Sequence, residues 1–350
     1  MFMCCLSVGT LLGAWVQAGR GQEPENYYIA VSTLMARPLG MGGAFTAVDD
    51  DLAALLYNPA SFSLYKDHRA NVGRVTLFLN PIAPVVALQD PAALFGRNYF
   101  TAEEVAAIVG MLIKGMTLSL GHFEVGALLG EQSPQPERFS TLQVFDAHEY
   151  LDNQYNVLAA RMRVAERVSL GGSIGLYYSG VEPRGRKWGV GTSYGVLVRP
   201  GREVSVGVSY ITLPQMQRDY REDLERIVSG ALNFGMSVRF KFGATVAADI
   251  RNLGEEKGTT GELVREAHLG LEQILLTQVA LRAGLFRKRQ EAVDDRYALS
   301  AGVGLINGNG FWSSRRRFSH GNWIINYGVV TETLRGQRRF YHALSMIFRL

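Results

Sequence analysis

From about residue 115 onward, large apolar side chains recur at every second position, and the positions between them are mostly glycine, serine and alanine. A period of two requires strands with chemically different faces. In RVSLGGSIGLYY, Val168, Leu170, Gly172, Ile174, Leu176 and Tyr178 share one face, and Arg167, Ser169, Gly171, Ser173, Gly175 and Tyr177 share the other. REVSVGVSYI sets Val204, Val206, Val208 and Tyr210 against Ser205, Gly207 and Ser209. YALSAGVGL sets Tyr297, Leu299, Ala301, Val303 and Leu305 against Ala298, Ser300, Gly302 and Gly304. A soluble sandwich also alternates, but it turns bulky apolar groups inward and Lys, Glu or Thr outward. A face of Gly, Ser and Ala makes a poor solvated exterior, and it suits the lumen of a closed barrel whose apolar face meets lipid.

The expected fold is therefore all-β, an antiparallel transmembrane β-barrel. The alternation predicts fourteen strands near 70–79, 115–121, 123–130, 154–164, 167–178, 188–198, 203–211, 228–240, 242–250, 265–273, 276–286, 297–306, 321–331 and 340–350. Trp188, Tyr210, Phe240, Tyr297 and Phe340 fall near strand ends, where interface girdles form. Transmembrane barrels alternate short turns with longer external loops. The predicted links do so: 80–114, 131–153, 179–187, 212–227, 251–264 and 287–296 are the longer ones. One link, 307–320, should be short and is long, which sets the tolerance on the count at about two strands. Within 80–114, Asp90-Pro91 is one helix-start signal, and Thr101 with Glu104 has capping-box spacing ahead of Val105, Ile108 and Leu112. That helix is expected either to pack within its own loop or to offer an apolar surface at the barrel mouth.

Residues 2–17 are almost wholly apolar, and Val16-Gln17-Ala18 supplies the small residues a signal peptidase reads, so cleavage after Ala18 is expected although an n-region Lys or Arg is missing. Both cysteines, Cys4 and Cys5, lie in that segment. Disulfides, cysteine zinc sites and thiol nucleophiles are thereby excluded from the mature chain.

The stretch ARPLGMGGAFTAVDDDLAALLYNPA, residues 36–60, invites a phosphate or metal reading. Its glycines, Gly40, Gly42 and Gly43 around Met41, do not follow a dinucleotide fingerprint, and Asp49, Asp50 and Asp51 lack the alternate spacing of a calcium loop. A compact glycine turn followed by a short helix, Leu52 to Tyr57, accounts for it. Asp50 or Asp51 would cap that helix, and Asn58-Pro59 would end it.

ARPLGMGGAFTAVDDDLAALLYNPASFSLY resembles the N-terminal signature of the FadL-like outer-membrane barrels, especially the PorV/PorQ-type branch. IINYGVVTETLRGQRRFYHALSMIFRL looks like that branch's final hairpin, with Asn326 in place of an acid and Leu350 in place of a terminal aromatic. The resemblance implies a fourteen-stranded barrel with its N-terminal segment folded inside as a short helical plug. Its expected organisation is a signal peptide over 1–18, a plug over 19–69 and a barrel over 70–350. Fourteen strands lined by Gly and Ser leave a space that something must fill, and irregular backbone is tolerated there because it is screened from lipid. By charge, Arg37, Asp49, Asp50, Asp51 and Asn58 would hold the plug to Arg163, Arg167, Asn233, Arg239, Asp249 or Arg282. With Gly40, Met41, Gly42, Gly43 and Pro59, the plug residues Arg37, Asp50, Asp51 and Asn58 form the expected ligand-adjacent set.

The six histidines show no metal-motif spacing, and Ser319-His320, being adjacent, cannot share a strand face as nucleophile and base. No enzyme activity, cofactor or metal is expected. A net charge of +4, with basic runs at Arg287-Lys288-Arg289, Arg315-Arg316-Arg317 and Arg335 to Arg339, suits lipid headgroups better than nucleic acid. The implied function is an outer-membrane channel for small hydrophobic molecules such as long-chain fatty acids. The alternative is a PorV/PorQ-like scaffold that receives secreted proteins, and a soluble lipocalin-like binder is a third. The expected partners are outer-membrane lipid or lipopolysaccharide, a hydrophobic small molecule and secreted proteins.

Overall fold

The computed structural model describes residues 36–48, 52–61, 74–79, 99–132, 153–179, 187–201, 203–212, 231–251, 253, 266–276, 278–290, 293–306, 322–334 and 337–349. Fourteen strands follow the chain: β1 Arg74–Leu79, β2 Ile113–Leu120, β3 Phe123–Gln132, β4 Asn153–Ala165, β5 Val168–Ser179, β6 Lys187–Val198 and β7 Val204–Thr212. The second half comprises β8 Ala231–Arg239, β9 Ala244–Arg251, β10 Glu266–Leu275, β11 Val279–Gln290, β12 Val293–Ile306, β13 Asn322–Leu334 and β14 Gln337–Arg349. Each strand pairs antiparallel with its neighbours in sequence, and β1 pairs with β14, so the sheet closes with no free edge. Closure satisfies every strand's backbone groups internally, which hydrocarbon demands.

The alternation sorts as the sequence predicts. Leu158, Ile174, Val190, Leu269 and Leu299 point outward and are more than half exposed. Ser169, Ser173, Ser205, Ser209, Ser237 and Ser300 point inward and are buried. So wide an apolar exterior is far beyond what a water-soluble monomer exposes, and hydrocarbon is the medium that covers it. Among the described residues no helix is long and apolar enough to cross a membrane, which says nothing of the strands. Tyr210, Phe240 and Tyr297 are exposed near strand ends, as a girdle requires, while the side chains of Trp188 and Phe340 lie outside the described residues.

Three expectations about the links change or gain detail. The loop expected at 287–296 shrinks to residues 291–292, because pairing continues to Gln290 and resumes at Val293. Those charged positions extend the strands beyond the apolar belt, and Arg287 lies over the ring of Tyr297, 5.7 Å from its centroid. The link between β12 and β13 remains long, 307–321, at the end that carries the tight turns, yet the count of fourteen holds. The helix α1, Ala36–Gly40, precedes β1, and α2, Ala102–Leu112, runs directly into β2. Its capping box is formed: Glu104 N donates to Thr101 Oγ1 at 3.3 Å, and Thr101 N donates to Glu104 Oε2 at 2.7 Å. The Asp90-Pro91 start lies outside the described residues.

Candidate functional site

Residues 36–48 and 52–61 lie inside the barrel and are almost wholly buried. After α1 the chain turns tightly, with Gly42 N donating to Leu39 O at 3.1 Å and Gly43 N to Pro38 O at 2.9 Å. Gly42 and Gly43 have φ of 61° and 73°, a left-handed conformation that side chains disfavour. Gly42 has a second reason to be glycine: a Cβ there would stand 2.9 Å from Leu285 N and 3.0 Å from Leu269 O, both wall backbone. The G-M-G-G run is therefore a turn pressed against the wall.

The expected helix over Leu52 to Tyr57 is shorter than predicted. A single 3-10 turn, Leu52–Ala54, is continued by turns, with Tyr57 N and Asn58 N both donating to Ala54 O at 3.0 and 2.8 Å. Asp49, Asp50 and Asp51 lie outside the described residues, so the expected cap does too. Asn58 does more than stop a helix. Its Oδ1 accepts from Ala60 N at 2.9 Å, and its Nδ2 donates to Thr46 O at 2.9 Å and to Val196 O at 3.2 Å. One amide thus shapes its own turn before Pro59, ties the two halves of the segment together and reaches β6.

The wall is shaped to receive this backbone. Four pairs of inward glycines face each other across neighbouring strands: Gly171 with Gly195, Gly207 with Gly235, Gly270 with Gly284, and Gly302 with Gly328. A Cβ on any of them would collide with or crowd the segment: Gly171 against Pro59, Gly195 against Asn58, Gly207 and Gly235 against Thr46 and Ala47, Gly270 and Gly284 against Met41, and Gly302 and Gly328 against Gly40. Sequence reasoning took this glycine as empty space. It is the close-approach surface for a second backbone.

Inward serines then satisfy the carbonyls that approach. Ser169 Oγ donates to Ala60 O at 2.8 Å, Ser209 Oγ to Tyr57 O at 2.7 Å, Ser237 Oγ to Ala47 O at 2.9 Å and Ser300 Oγ to Gly40 O at 3.2 Å. Charges complete the attachment. Arg37 holds Glu272 in a two-pronged grip, Nε to Oε2 at 2.9 Å and Nη2 to Oε1 at 2.8 Å, while Arg282 Nε donates to Oε2 at 2.7 Å. Asp249 Oδ2 accepts from Phe45 N, Thr46 N and Thr46 Oγ1, each at 2.8 Å. Arg251 donates to Gly43 O and lies over the ring of Tyr57, and His268 Nδ1 donates to Gly42 O at 2.6 Å. Buried ions at this density persist only because each is paired and hydrogen-bonded.

Of the wall residues chosen by charge, Asp249 and Arg282 take part, and buried Asn233 stands behind Ser209, 3.5 Å from its Oγ. Arg163 and Arg167 lie at the tight-turn end, where Arg163 contacts His122 and Arg167 donates to Pro200 O, while their expected acidic partners Asp49, Asp50 and Asp51 lie outside the described residues. Arg239 also sits at that end, closing β8. Their parity is inward, but they sit at strand ends; Arg167 is exposed there, while Arg239 keeps its Nε buried. Glu272, Arg251, His268 and the serine donors were missed. Their inward parity was the available signal, because a charge at an inward position of an apolar strand needs a partner.

The rest of the segment is apolar. Met41, Ala44, Phe45, Val48, Ala53, Leu55 and Tyr57 form one buried cluster with Phe78 on β1, Leu128 on β3, Val157 and Ala159 on β4, Ile324 on β13 and Ile347 on β14. Ala54, Ala247 on β9 and Ala280 on β11 complete it.

No family model and no curated protein matches the chain. Among solved structures it is similar to the "CymD monoaromatic hydrocarbon channel", with a TM-score of 0.51 and 13% identity over 91% of this chain and 97% of that one. A Pseudomonas aeruginosa FadL homologue aligns with a TM-score of 0.45 and 11% identity, over 91% of this chain and 97% of the other. At such identities the likeness concerns architecture alone: the chain shares with the CymD channel a closed antiparallel barrel, and what this barrel does must be argued from its own lumen.

Proposed function

We propose that the chain resides in an outer membrane and carries small hydrophobic molecules through a lumen occluded by the segment around residues 36–61. The supporting observation is how the lumen is divided. Glu272, Asp249, Arg251 and His268 are engaged at the segment, other buried polar groups such as Glu124 and Arg161 pair within the wall, and the largest apolar contact between segment and wall is the cluster around Phe78, Leu128, Val157 and Ile347. An ion would find its ligands already taken there, whereas an apolar molecule finds a lining like itself. The CymD monoaromatic hydrocarbon channel, similar in fold, supports this reading.

In this reading residues 1–18 are a cleaved leader, 19–69 the plug and 70–350 the barrel, whose belt contacts lipid or lipopolysaccharide. Arg37, Gly40, Met41, Gly42, Gly43, Asn58 and Pro59 fix the plug's shape and place, and Asp50 and Asp51 belong with them. Long-chain fatty acids are one substrate class of suitable shape. The purified barrel in proteoliposomes is expected to take up toluene or oleate. The same barrel lacking 36–61 is expected to assemble, lose that selective uptake and conduct ions. Unchanged uptake by the shortened barrel would count against the proposal.

A second reading, a PorV/PorQ-like scaffold for secreted proteins, draws on α2, which exposes Val105 and Val109 where the chain enters β2. Co-purification of secreted cargo that is lost in a Val105→Asp, Val109→Asp variant would favour it.

A further inference from the structure

Resting on that hydrophobic-channel reading, we infer that passage occurs on one side of the segment only: the seam against the arc from the Ile324 stretch of β13 through β14 and β1 to β4 yields, and the contact with β5–β12 and with Gly328 of β13 stays shut. The wall strands of the seam are contiguous around the barrel, and they contribute Ile324, Ile347, Phe78, Leu128 and Val157. The segment contributes Val48, Leu55 and Tyr57 to the same cluster.

The two contacts differ in what an entering apolar molecule would break. Opening the glycine side separates backbone from backbone, strips the Ser169, Ser209, Ser237 and Ser300 hydroxyls from their carbonyls, and pulls Arg37 from Glu272. An apolar occupant replaces none of these, and each orphaned group carries its full desolvation cost. At the glycine contacts themselves there is no wall side chain to swing aside. Opening the seam parts Leu, Val, Ile and Phe side chains from one another. There an apolar occupant restores the contacts it displaces, and the side chains have rotamers to move into. Substrate thus lowers the cost of opening one side and leaves the other as expensive as before, which is the condition for a ligand to shift a population.

The full chain with Cys4 and Cys5 changed to Ser supports the test, since it holds no other cysteine. Single substitutions then report the two sides: Leu128→Cys and Val157→Cys in the seam, and Leu197→Cys beside Ala47 and Ala60 on the pinned side. Each variant is checked for barrel assembly by unheated gel mobility. N-ethylmaleimide labelling is then timed with and without toluene. Toluene is expected to speed labelling of the two seam variants by about tenfold and to leave the Leu197→Cys variant within about twofold. Faster labelling of the Leu197→Cys variant overturns the inference, because it reports the segment leaving the glycine wall. Labelling unchanged in all three variants, in a barrel that still takes up toluene, overturns it as well. A native barrel that takes up no toluene or oleate removes the transport reading itself, a result separate from either labelling outcome.

Discussion

The two arcs of the lumen wall hold one segment by opposite means. From β5 to β12, and at Gly328 on β13, four glycine pairs let backbone meet backbone, and serine hydroxyls, Asp249 and Glu272 supply directional bonds. From the Ile324 stretch of β13 round to β4 the wall keeps large residues, Ile324, Ile347, Phe78, Leu128 and Val157, and the contact is non-directional packing. Both kinds of contact stabilise the assembled state, but they respond differently to perturbation. A directional contact fixes a position and fails when one partner is lost. A packed apolar contact tolerates rearrangement provided that volume is conserved.

The largest expected effect tests the directional side. Glu272→Ala leaves Arg37 and Arg282 buried without their shared carboxylate, and unfolding in urea should show a loss of about 3–5 kcal/mol. Protease should then reach residues 36–61 in the folded barrel. A double variant, Arg37→Met with Glu272→Leu, should recover part of that loss, since removing both charges leaves fewer orphans than removing one. Recovery of nothing would mean that Glu272 serves Arg282 alone. The next effect tests the packed side. Leu128→Ala opens a cavity at a site with 0% exposure and should cost about 2–5 kcal/mol. The segment should remain protease-resistant, because its polar anchors lie on other strands. If Leu128→Ala and Glu272→Ala expose the segment equally, the distinction between the arcs fails.

Much of the wall was legible in sequence, because alternation is local: each of the fourteen strands lies within a few residues of its predicted place, and so does the capping box at Thr101. The glycine track was not, because it depends on register. One pair was within reach: Gly270 and Gly284 sit symmetrically about the tight turn between β10 and β11. The other three pairs flank long links, and no count along the chain aligns them. Charge was a fair guide to Asp249 and Arg282, yet it suggested Arg163 and Arg167 equally. What separates these residues is depth in the barrel, which face parity does not encode. The charged stretch 287–290 read as loop for a related reason: pairing there outlasts the apolar belt that made strands recognisable.

A substitution within the glycine track should cost less overall than losing Glu272 but act more locally. Gly207→Val drives a side chain into the backbone of Thr46, where overpacking of this kind costs about 1–3 kcal/mol. Gly172→Ala on the same sheet is the control. Its Cβ would meet nothing nearer than 3.8 Å, so its stability should match the native barrel in the same urea titration.

The smallest effects come from the hydroxyls, and they decide whether the pinned side acts as separate bonds or as one unit. Ser169, Ser209 and Ser237 stand on three different strands and donate to Ala60, Tyr57 and Ala47. Each change to alanine should cost about 1 kcal/mol, because a buried carbonyl loses its donor. Were the three bonds independent, the triple variant would lose the sum of the single losses. Asn58, however, joins Thr46 to the turn at Pro59, so the segment's two halves cannot move apart without breaking that amide's bonds as well. The triple variant should therefore lose less than the sum, with the segment held by Asn58 and Glu272 and protease resistance kept. Adding Asn58→Ala to the triple variant should remove that reserve, and digestion of residues 36–61 in the folded barrel would report it.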